Sequence, residues 1–359
     1  MNKYVKRYFI DAMSGMAQGL FASLLIGTII QTLGQLLLKV AVNPVFQFLV
    51  DAGTFAKDAH VVGAAMAVGI GFAMNAPALV LFSLASVGSA ANVTGGAGGP
   101  LAVLFIAIIA AECGNLVSKK TKVDIIVTPL VTILAGALLT VLTAKYIGLA
   151  ASSIGKLVVW ATKLHPFVMG MIVSAIIGIA LTLPISSAAI CAAFGLTGLA
   201  GGAAVAGCCA QMVGFAVMSF KENGWGGIAS QGLGTSMLQM PNIIKNPRIW
   251  IPPILASIIT GPIATCLFKM EMNGAAVSSG MGTCGLVGQI GVITGWFEPS
   301  EVAIGHGAAA IVPGLMDWLG LLLVCFILPG LLSWLFALLL RKIGWIKEGD
   351  LSLGMADKK

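Results

Sequence analysis

Glu298 and His306 stand eight residues apart, close to two helical turns. If the stretch between them is helical they share one face, with Pro299 in the first turn. A carboxylate and an imidazole so placed can grip the hydroxyls of a sugar or pass a proton. Two solvated loop residues are the plainer alternative. Just before them, Gly274–Trp296 is rich in Gly, Ser and Thr, holds Gln289 and carries no charge. That composition suits a re-entrant hairpin whose backbone faces a ligand. Glu112 lies late in an otherwise uncharged apolar run. An ionisable group at the centre of a spanning helix costs ~2.5–3.5 kcal/mol on insertion scales, so it is usually functional. Glu112 either binds a hydroxyl or a proton, or sits near a surface capped by Lys119 or Lys120. Asp317, beside Trp318, reads as interfacial, and His60 and His165 read as histidines at the mouths of apolar segments.

Two proline breaks interrupt long apolar runs: Asn75-Ala76-Pro77 and Thr182-Leu183-Pro184-Ile185-Ser186-Ser187. Irregular backbone within lipid must be covered by protein or line a wet cavity, which makes Asn75, Thr182 and Ser186 candidate contacts. Against this, Pro and Gly are frequent in membrane helices and often only shape packing. Glu298, His306 and Glu112 are therefore the first candidates for ligand or proton contact. Asn75, Thr182, Ser186 and Gln289 are the second.

The elements that position these residues are set by composition. Of 359 residues, 58% are hydrophobic and 9% charged, with a mean hydropathy of +1.01. An ordinary soluble domain is ~45–50% apolar and ~25% charged. Most soluble enzymes, nucleic-acid readers and disordered chains are excluded at once. Val61–Ser118 holds one charge, Glu112; Leu164–Phe220 and Met272–Phe297 hold none; Val302–Leu340 holds only Asp317. The runs are continuous and rich in Ala, Leu and Ile rather than alternating, which favours helices over a β-barrel. The expected fold is an all-α integral membrane protein with about eight to ten transmembrane helices. Spans are predicted at Gly15–Leu38, Val61–Ala85, Leu101–Val117, Ile125–Ala144, Phe167–Leu183, Ala203–Phe220 and Ile249–Leu267, with one or two more in Val302–Leu340 around a turn at Asp317-Trp318. The semi-polar stretches Asn43–Phe55, Ile147–Lys163 and Gly224–Met240 suit amphipathic surface helices or loops. Tyr4, Val5, Tyr8 and Phe9 with Lys3, Lys6 and Arg7 suit a short interfacial helix, and no cleavable signal precedes it.

The order of features repeats. His60 opens a run reaching Pro77, and His165 one reaching Pro184; each is succeeded by a Gly-rich stretch, then a span holding Glu112-Cys113 or Cys208-Cys209. This predicts a duplicated, inverted unit with re-entrant Gly-rich segments, as in secondary transporters. The expected organisation is 1–58 (interfacial helix and first span), 59–163 and 164–272 (the two repeat units), 273–343 (re-entrant segment and C-terminal spans) and 344–359 (a short polar tail).

The net charge of +7 falls in short clusters beside apolar runs, as in cytoplasm-side loops, with no basic, aromatic groove for nucleic acid. The seven cysteines lack metal-ligand spacing and read as buried apolar groups. No phosphate-binding G-x-x-x-x-G-K-[ST] loop, zinc-protease helix or nucleophile elbow occurs. No cofactor and no metal are expected.

At Gly295-Trp296-Phe297-Glu298-Pro299 the chain resembles the membrane permease subunits (enzyme IIC) of the bacterial sugar phosphotransferase system. Glucose-type members carry Gly-Ile-Thr-Glu-Pro there, and their Glu contacts sugar; here Trp296-Phe297 replaces Ile-Thr. The whole chain is similar to a stand-alone branch of these permeases, often labelled perfringolysin-regulator-like or toxin regulators. The opening from Tyr8-Phe9-Ile10-Asp11-Ala12-Met13 to Ile30 and the stretch Asn92-Val93-Thr94-Gly95-Gly96-Ala97-Gly98-Gly99-Pro100 are typical of it. The resemblance implies a homodimer in the bacterial cell (inner) membrane that binds a sugar in an occluded site and passes it to a phosphorylating partner. The chain shows no Cys-Pro phosphocysteine loop, so a phosphoryl donor is expected to be a separate soluble subunit, or absent. The resulting expectation is a non-enzymatic permease for a small polar solute, a sugar or sugar derivative bound at midplane between broken helices. The alternatives are a membrane-embedded sensor or regulator of gene expression, and an ion-coupled transporter of a small organic anion on the same fold.

Overall fold

A computed structural model describes residue 4 and residues 6–353; residues 3 and 5 of the expected interfacial helix, and the tail from 354, lie outside the described residues. The described residues are helical almost throughout, without a strand. Six helical stretches, 78–117 among them, are long and apolar enough to cross a membrane, or seven if the bent pair at 44–73 is one span, and two shorter apolar helices add to these. The fold is that of an all-α membrane protein. The chain divides into two compact units, residues 1–151 and 152–359.

In the first unit, α1 (Lys6–Lys39) runs without interruption, so the N-terminal residues prolong the first span rather than forming a separate surface helix. Helix α2 (Pro44–Ala56) starts with Asn43 accepting from the Val45 amide and meets α3 (Ala59–Ala73) at a bend of 56°. Glycines set the spacing: Gly15 and Gly19 of α1 lie against the backbone of Gly69 and Ala65 in α3, where any Cβ would overlap a carbonyl. Close helix approach over small residues is the usual packing solution in lipid, which supplies no hydrophobic drive between helices. Helix α4 (Ala78–Gly95) packs back on α3 through Gly88 against Gly63. The 96–98 turn, with Gly96 at φ 51°, reverses the chain into α5 (Gly99–Val117). Val80 reaches Gly114, so 78–117 is an antiparallel hairpin rather than one long helix. Helix α6 (Asp124–Ala161) is 38 residues long. At 1.5 Å per residue that is about 57 Å, nearly twice the hydrocarbon thickness. The span predicted at 125–144 and the surface helix predicted at 147–163 are therefore one continuous helix, and the boundary between the units falls inside it.

In the second unit, α7 (Pro166–Thr182) leads into a short α8 (Ser187–Ala193) and then α9 (Gly198–Met218). Helix α10 (Pro247–Leu267) packs antiparallel to α7, with Gly170 against Gly261 and Ser174 against Ser257. Residues 219–246 lie between α9 and α10, and Gly224–Met240 within them is not the surface helix or loop expected. Gln231, Ser236, Gln239 and Asn242 are buried there, and the amides bond in a chain: Gln231 Nε2 donates to Ser219 (3.0 Å), Gln239 Nε2 to Gln231 (2.8 Å) and Asn242 Nδ2 to Gln239 (2.9 Å). The chain after residue 344 is strapped onto these amides. Asn223 donates to the Leu351 carbonyl and accepts from the Leu353 amide, both at 2.8 Å, and Asn242 donates to the Ser352 carbonyl. Polar side chains tolerate burial when they satisfy one another.

Two short helices, α11 (Val287–Phe297) and α12 (Glu301–Gly305), precede the last span. That span, α13 (Leu315–Lys342), begins where Asp317 accepts from the Gly314 amide (2.7 Å). Residues 307–314 are not helical, so Val302–Leu340 holds one span, with Asp317 at its start.

Candidate functional site

Residues 273–300 form a hairpin whose two arms touch through glycines. Gly274 lies against Gly291, Gly295 against Asn273, and Gly288 against Gly282. The tip turns through Gly282, Gly285 and Leu286, all with positive φ between 52° and 59°. It ends beside Cys208, the eleventh of the 21 residues of α9. A segment that reaches the middle of a helix and returns is re-entrant in form. Its tip, however, does not present open backbone. Gly280 is pressed on the Ser187–Ala188 backbone, Ser187 Oγ donates to the Gly280 carbonyl (2.7 Å), and Ser279 Oγ donates to the Leu196 carbonyl (2.6 Å). The expectation of a ligand-facing tip is corrected: the glycines serve close packing against α8 and α9. Gln289 packs in the same way, with Nε2 on Cys209 Sγ (3.2 Å) and its buried oxygen unpaired.

The open space lies at the base of the hairpin. A cavity of about 70 Å³ is lined there by Lys269, Glu271, Asn273, Trp296 and Asp317 among others. Asn273 is 7% exposed; its Nδ2 donates to Glu271 (2.8 Å), while Oδ1 is buried without a partner. Its carbonyl accepts from the Ser300 amide (2.9 Å), which ties the cavity wall to the segment after α11. Trp296 is held edge-on to Trp318 at 4.8 Å, which fixes the indole wall. A buried amide oxygen beside an indole and two carboxylates is an acceptor-rich surface, suited to hydroxyl donors.

Glu298 sits two residues beyond Trp296, with φ −137° and ψ 79°, where α11 ends. Its carboxylate is exposed, and among the described residues no cation pairs with it. The stretch to His306 is not one helix. Ser300 caps the five-residue α12 through the Ala303 amide, and Pro299 precedes that cap instead of occupying the first turn. Glu298 therefore lies before α12 and His306 at its end, and the shared helical face inferred from spacing does not exist. His306 is instead held by Thr197, with Nδ1 and Oγ1 at 3.1 Å. The Gly198–Met272 bridge, with both backbone bonds at 3.0 Å, pins the start of α9 to the strip leading into the cavity.

The remaining candidates have other partners. Thr182 belongs to a buried network on α7, α9 and α10. It bonds Gln211 Oε1 (3.1 Å) and Ser236 Oγ (2.7 Å), and Trp250 Nε1 donates to the same Gln211 oxygen (2.8 Å). Ser236, Gln211, Trp250 and Ser257 carry no signal in the sequence, because they sit 29 to 75 positions from Thr182 in otherwise ordinary contexts. Ser186 caps α8 by accepting from the Ala189 amide (3.1 Å).

In the other unit, Asn75 is exposed at φ 55°, one residue past the end cap of α3, with the Ala76 amide bonded back to Gly71 (2.9 Å). This is the left-handed turn that Asn and Gly favour at helix ends, and it joins two antiparallel helices. It is not a break inside one span. Glu112 pairs with Arg7 at 2.7 Å, both side chains about a third exposed (34% and 38%), so its partner is neither Lys119 nor Lys120. His60 Nδ1 bonds Ser89 (2.9 Å). Among the described residues no group of three or more His, Cys, Asp or Glu is placed to hold a metal.

A family model for the phosphotransferase system EIIC matches residues 10–353, nearly the whole chain, and the chain belongs to that family. The family comprises the membrane transport components of the phosphotransferase system, which handle sugars together with the other components of that system. The protein is accordingly a multi-pass membrane permease of this class, located in bacteria in the cell membrane. No curated protein matches it.

Proposed function

We propose that the protein carries a small polar solute, a sugar or sugar derivative, across the membrane and binds it at the base of the 273–300 hairpin. Glu298 accepts hydrogen bonds from solute hydroxyls. His306, oriented by Thr197, supplies a second polar contact, and the cavity walled by Trp296 and Asn273, at about 70 Å³ too small for a whole ring, takes one of its hydroxyls. The observation that carries this reading is the unpaired, exposed Glu298 carboxylate two residues from a cavity whose Asn273 oxygen is buried without a partner. A buried acceptor left unmade costs roughly 1–3 kcal/mol, so a hydroxyl that satisfies it gains binding energy. Thr182 and Gln289 position the helices that support the hairpin, and Ser186 anchors α8 beneath it. Asn75 and Glu112 act in the architecture of the other unit rather than on the solute. The working form is a homodimer that hands its solute to separate soluble phosphotransferase subunits, and the chain itself catalyses no reaction.

The test is equilibrium counterflow in proteoliposomes with a panel of radiolabelled mono- and disaccharides. Transient accumulation of at least one saccharide is the expected result. A panel in which saccharides bind but none exchanges would replace transport by sensing, and a panel with neither binding nor exchange would overturn the reading.

A further inference from the structure

Two apolar grooves run along α13. One, of about 410 Å³, is lined by Val217, Phe220, Trp225, Trp334 and Arg341 among others. The other, of about 350 Å³, is lined by Leu335, Phe336, Leu339 and Lys342 among others. Leu338 lines both, so the grooves flank a single side chain of one helix. Arg341 and Lys342 come three and four positions after Leu338, one helical turn on, and Lys221 lines the first groove. The basic residues thus gather at one end of the paired grooves.

Aromatic residues line the first groove as well. Trp225 is 78% exposed and packs edge-on to Phe220 at 5.4 Å, and Trp334 is 43% exposed. Trp and basic residues together mark the membrane–water interface. The carboxylate of Glu222 is taken up by Arg341 (2.6 Å), while Lys221 and Lys342, both exposed, have no carboxylate partner among the described residues. Two adjacent hydrocarbon-lined grooves that end at cations match a molecule with two acyl chains and one anionic head. They match neither a peptide helix nor a free phosphate, which would leave the grooves empty.

We infer that this end of α13 is a binding site for an acidic diacyl phospholipid, its chains in the two grooves astride Leu338 and its phosphate on Lys221 and Lys342, the two cations that no carboxylate pairs. Basic sites between spanning helices recognise acidic headgroups in this way, each cation contributing about a fivefold gain in affinity. The inference is independent of the saccharide reading, because none of its residues belongs to the 273–300 hairpin.

The experiment uses the full-length protein in neutral detergent. Its tryptophan fluorescence is titrated with phosphatidylglycerol brominated on its chains, and with phosphatidylcholine carrying the same chains. Bromine quenches only the indoles it touches. The expected result is half-quenching at a clearly lower mole fraction of the acidic lipid. That preference falls about fivefold in Lys221→Gln and again in the Lys221→Gln, Lys342→Gln double variant. The excess quench disappears in Trp225→Phe with Trp334→Phe, and glycerophosphoglycerol, the headgroup without chains, does not compete. Equal quenching of the wild type by the two lipids would overturn the inference. So would a preference that survives the tryptophan replacements, a readout available even if a lysine variant fails to fold.

Discussion

The two proline breaks at Pro77 and Pro184 look alike in sequence and differ in the helix that each one starts. After Pro77 comes an 18-residue helix that returns along its partner, Gly88 on Gly63, and closes the space between them. After Pro184 comes α8, seven residues long, and the space beside α9 that a longer helix would fill is taken by the glycine hairpin instead. A full-length helix satisfies its own backbone and leaves no polar edge. A shortened helix leaves room for an irregular segment, and that segment places Asn273 and Trp296 on one cavity, with Glu298 two residues further along the chain. The proposed site therefore lies where regular secondary structure is cut short.

This contrast sets an order of expected effects. The largest belongs to Gly282→Val. Its Cβ would lie 2.7 Å from Cys208 Cβ at a positive φ of 54°, so overpacking and backbone strain together cost about 3 kcal/mol. A detergent melting curve should fall sharply, whereas Gly96→Ala, strained at φ 51° and ψ −118° but with open space around it, should lower it less, by about 2 kcal/mol. Equal melting shifts would mean the tip is less tightly seated than its contacts say.

Removing the strap's anchor with Asn223→Ala abolishes both the Leu351 and Leu353 bonds and should cost about 2 kcal/mol of melting stability. Saccharide counterflow should persist in the folded fraction. His306→Gln should weaken saccharide binding about tenfold with an unchanged melting curve, and Thr197→Val by a smaller factor, because it frees the imidazole without deleting it. If Thr197→Val proves as damaging as His306→Gln, the threonine touches the solute itself. Asn75→Gly should be the mildest, within about 0.5 kcal/mol, since glycine accepts the same left-handed turn. Loss of binding in that variant would restore Pro77 as a ligand element.

The membrane class and the helical fold were legible because they rest on composition and on charge-free run lengths, which lipid enforces along the whole chain; the family was legible only from resemblance, at Gly295–Pro299, the opening from Tyr8 and Asn92–Pro100. The re-entrant form of 273–300 was legible from its glycines, but the direction those glycines face was not. Gly282 reports that something comes close; only the fold says that it is Cys208 rather than a ligand. The same limit separated Asn75 from Thr182, since a proline marks irregular backbone without specifying what fills the gap. The 224–240 segment looked exposed because single polar residues usually are. Gln231, Gln239 and Asn242 are buried because they meet one another and the 351–352 carbonyls, a pairing across more than a hundred residues that no local pattern encodes. Arg7 as the partner of Glu112, 105 positions away, was hidden for the same reason.

The central claim, that solute is held by Glu298 and not by Glu112, is tested most directly by saccharide binding to two matched variants. Equilibrium binding of the saccharide that scores highest in counterflow is measured on Glu298→Gln and on Glu112→Gln in the same detergent. Losing a charged hydrogen bond should weaken the first by roughly 10–100-fold with its melting curve unmoved. The second, losing a partly exposed ion pair, should lose at most about 1 kcal/mol of stability and bind as the wild type does. Wild-type affinity in Glu298→Gln, or the loss appearing in Glu112→Gln instead, would contradict the account.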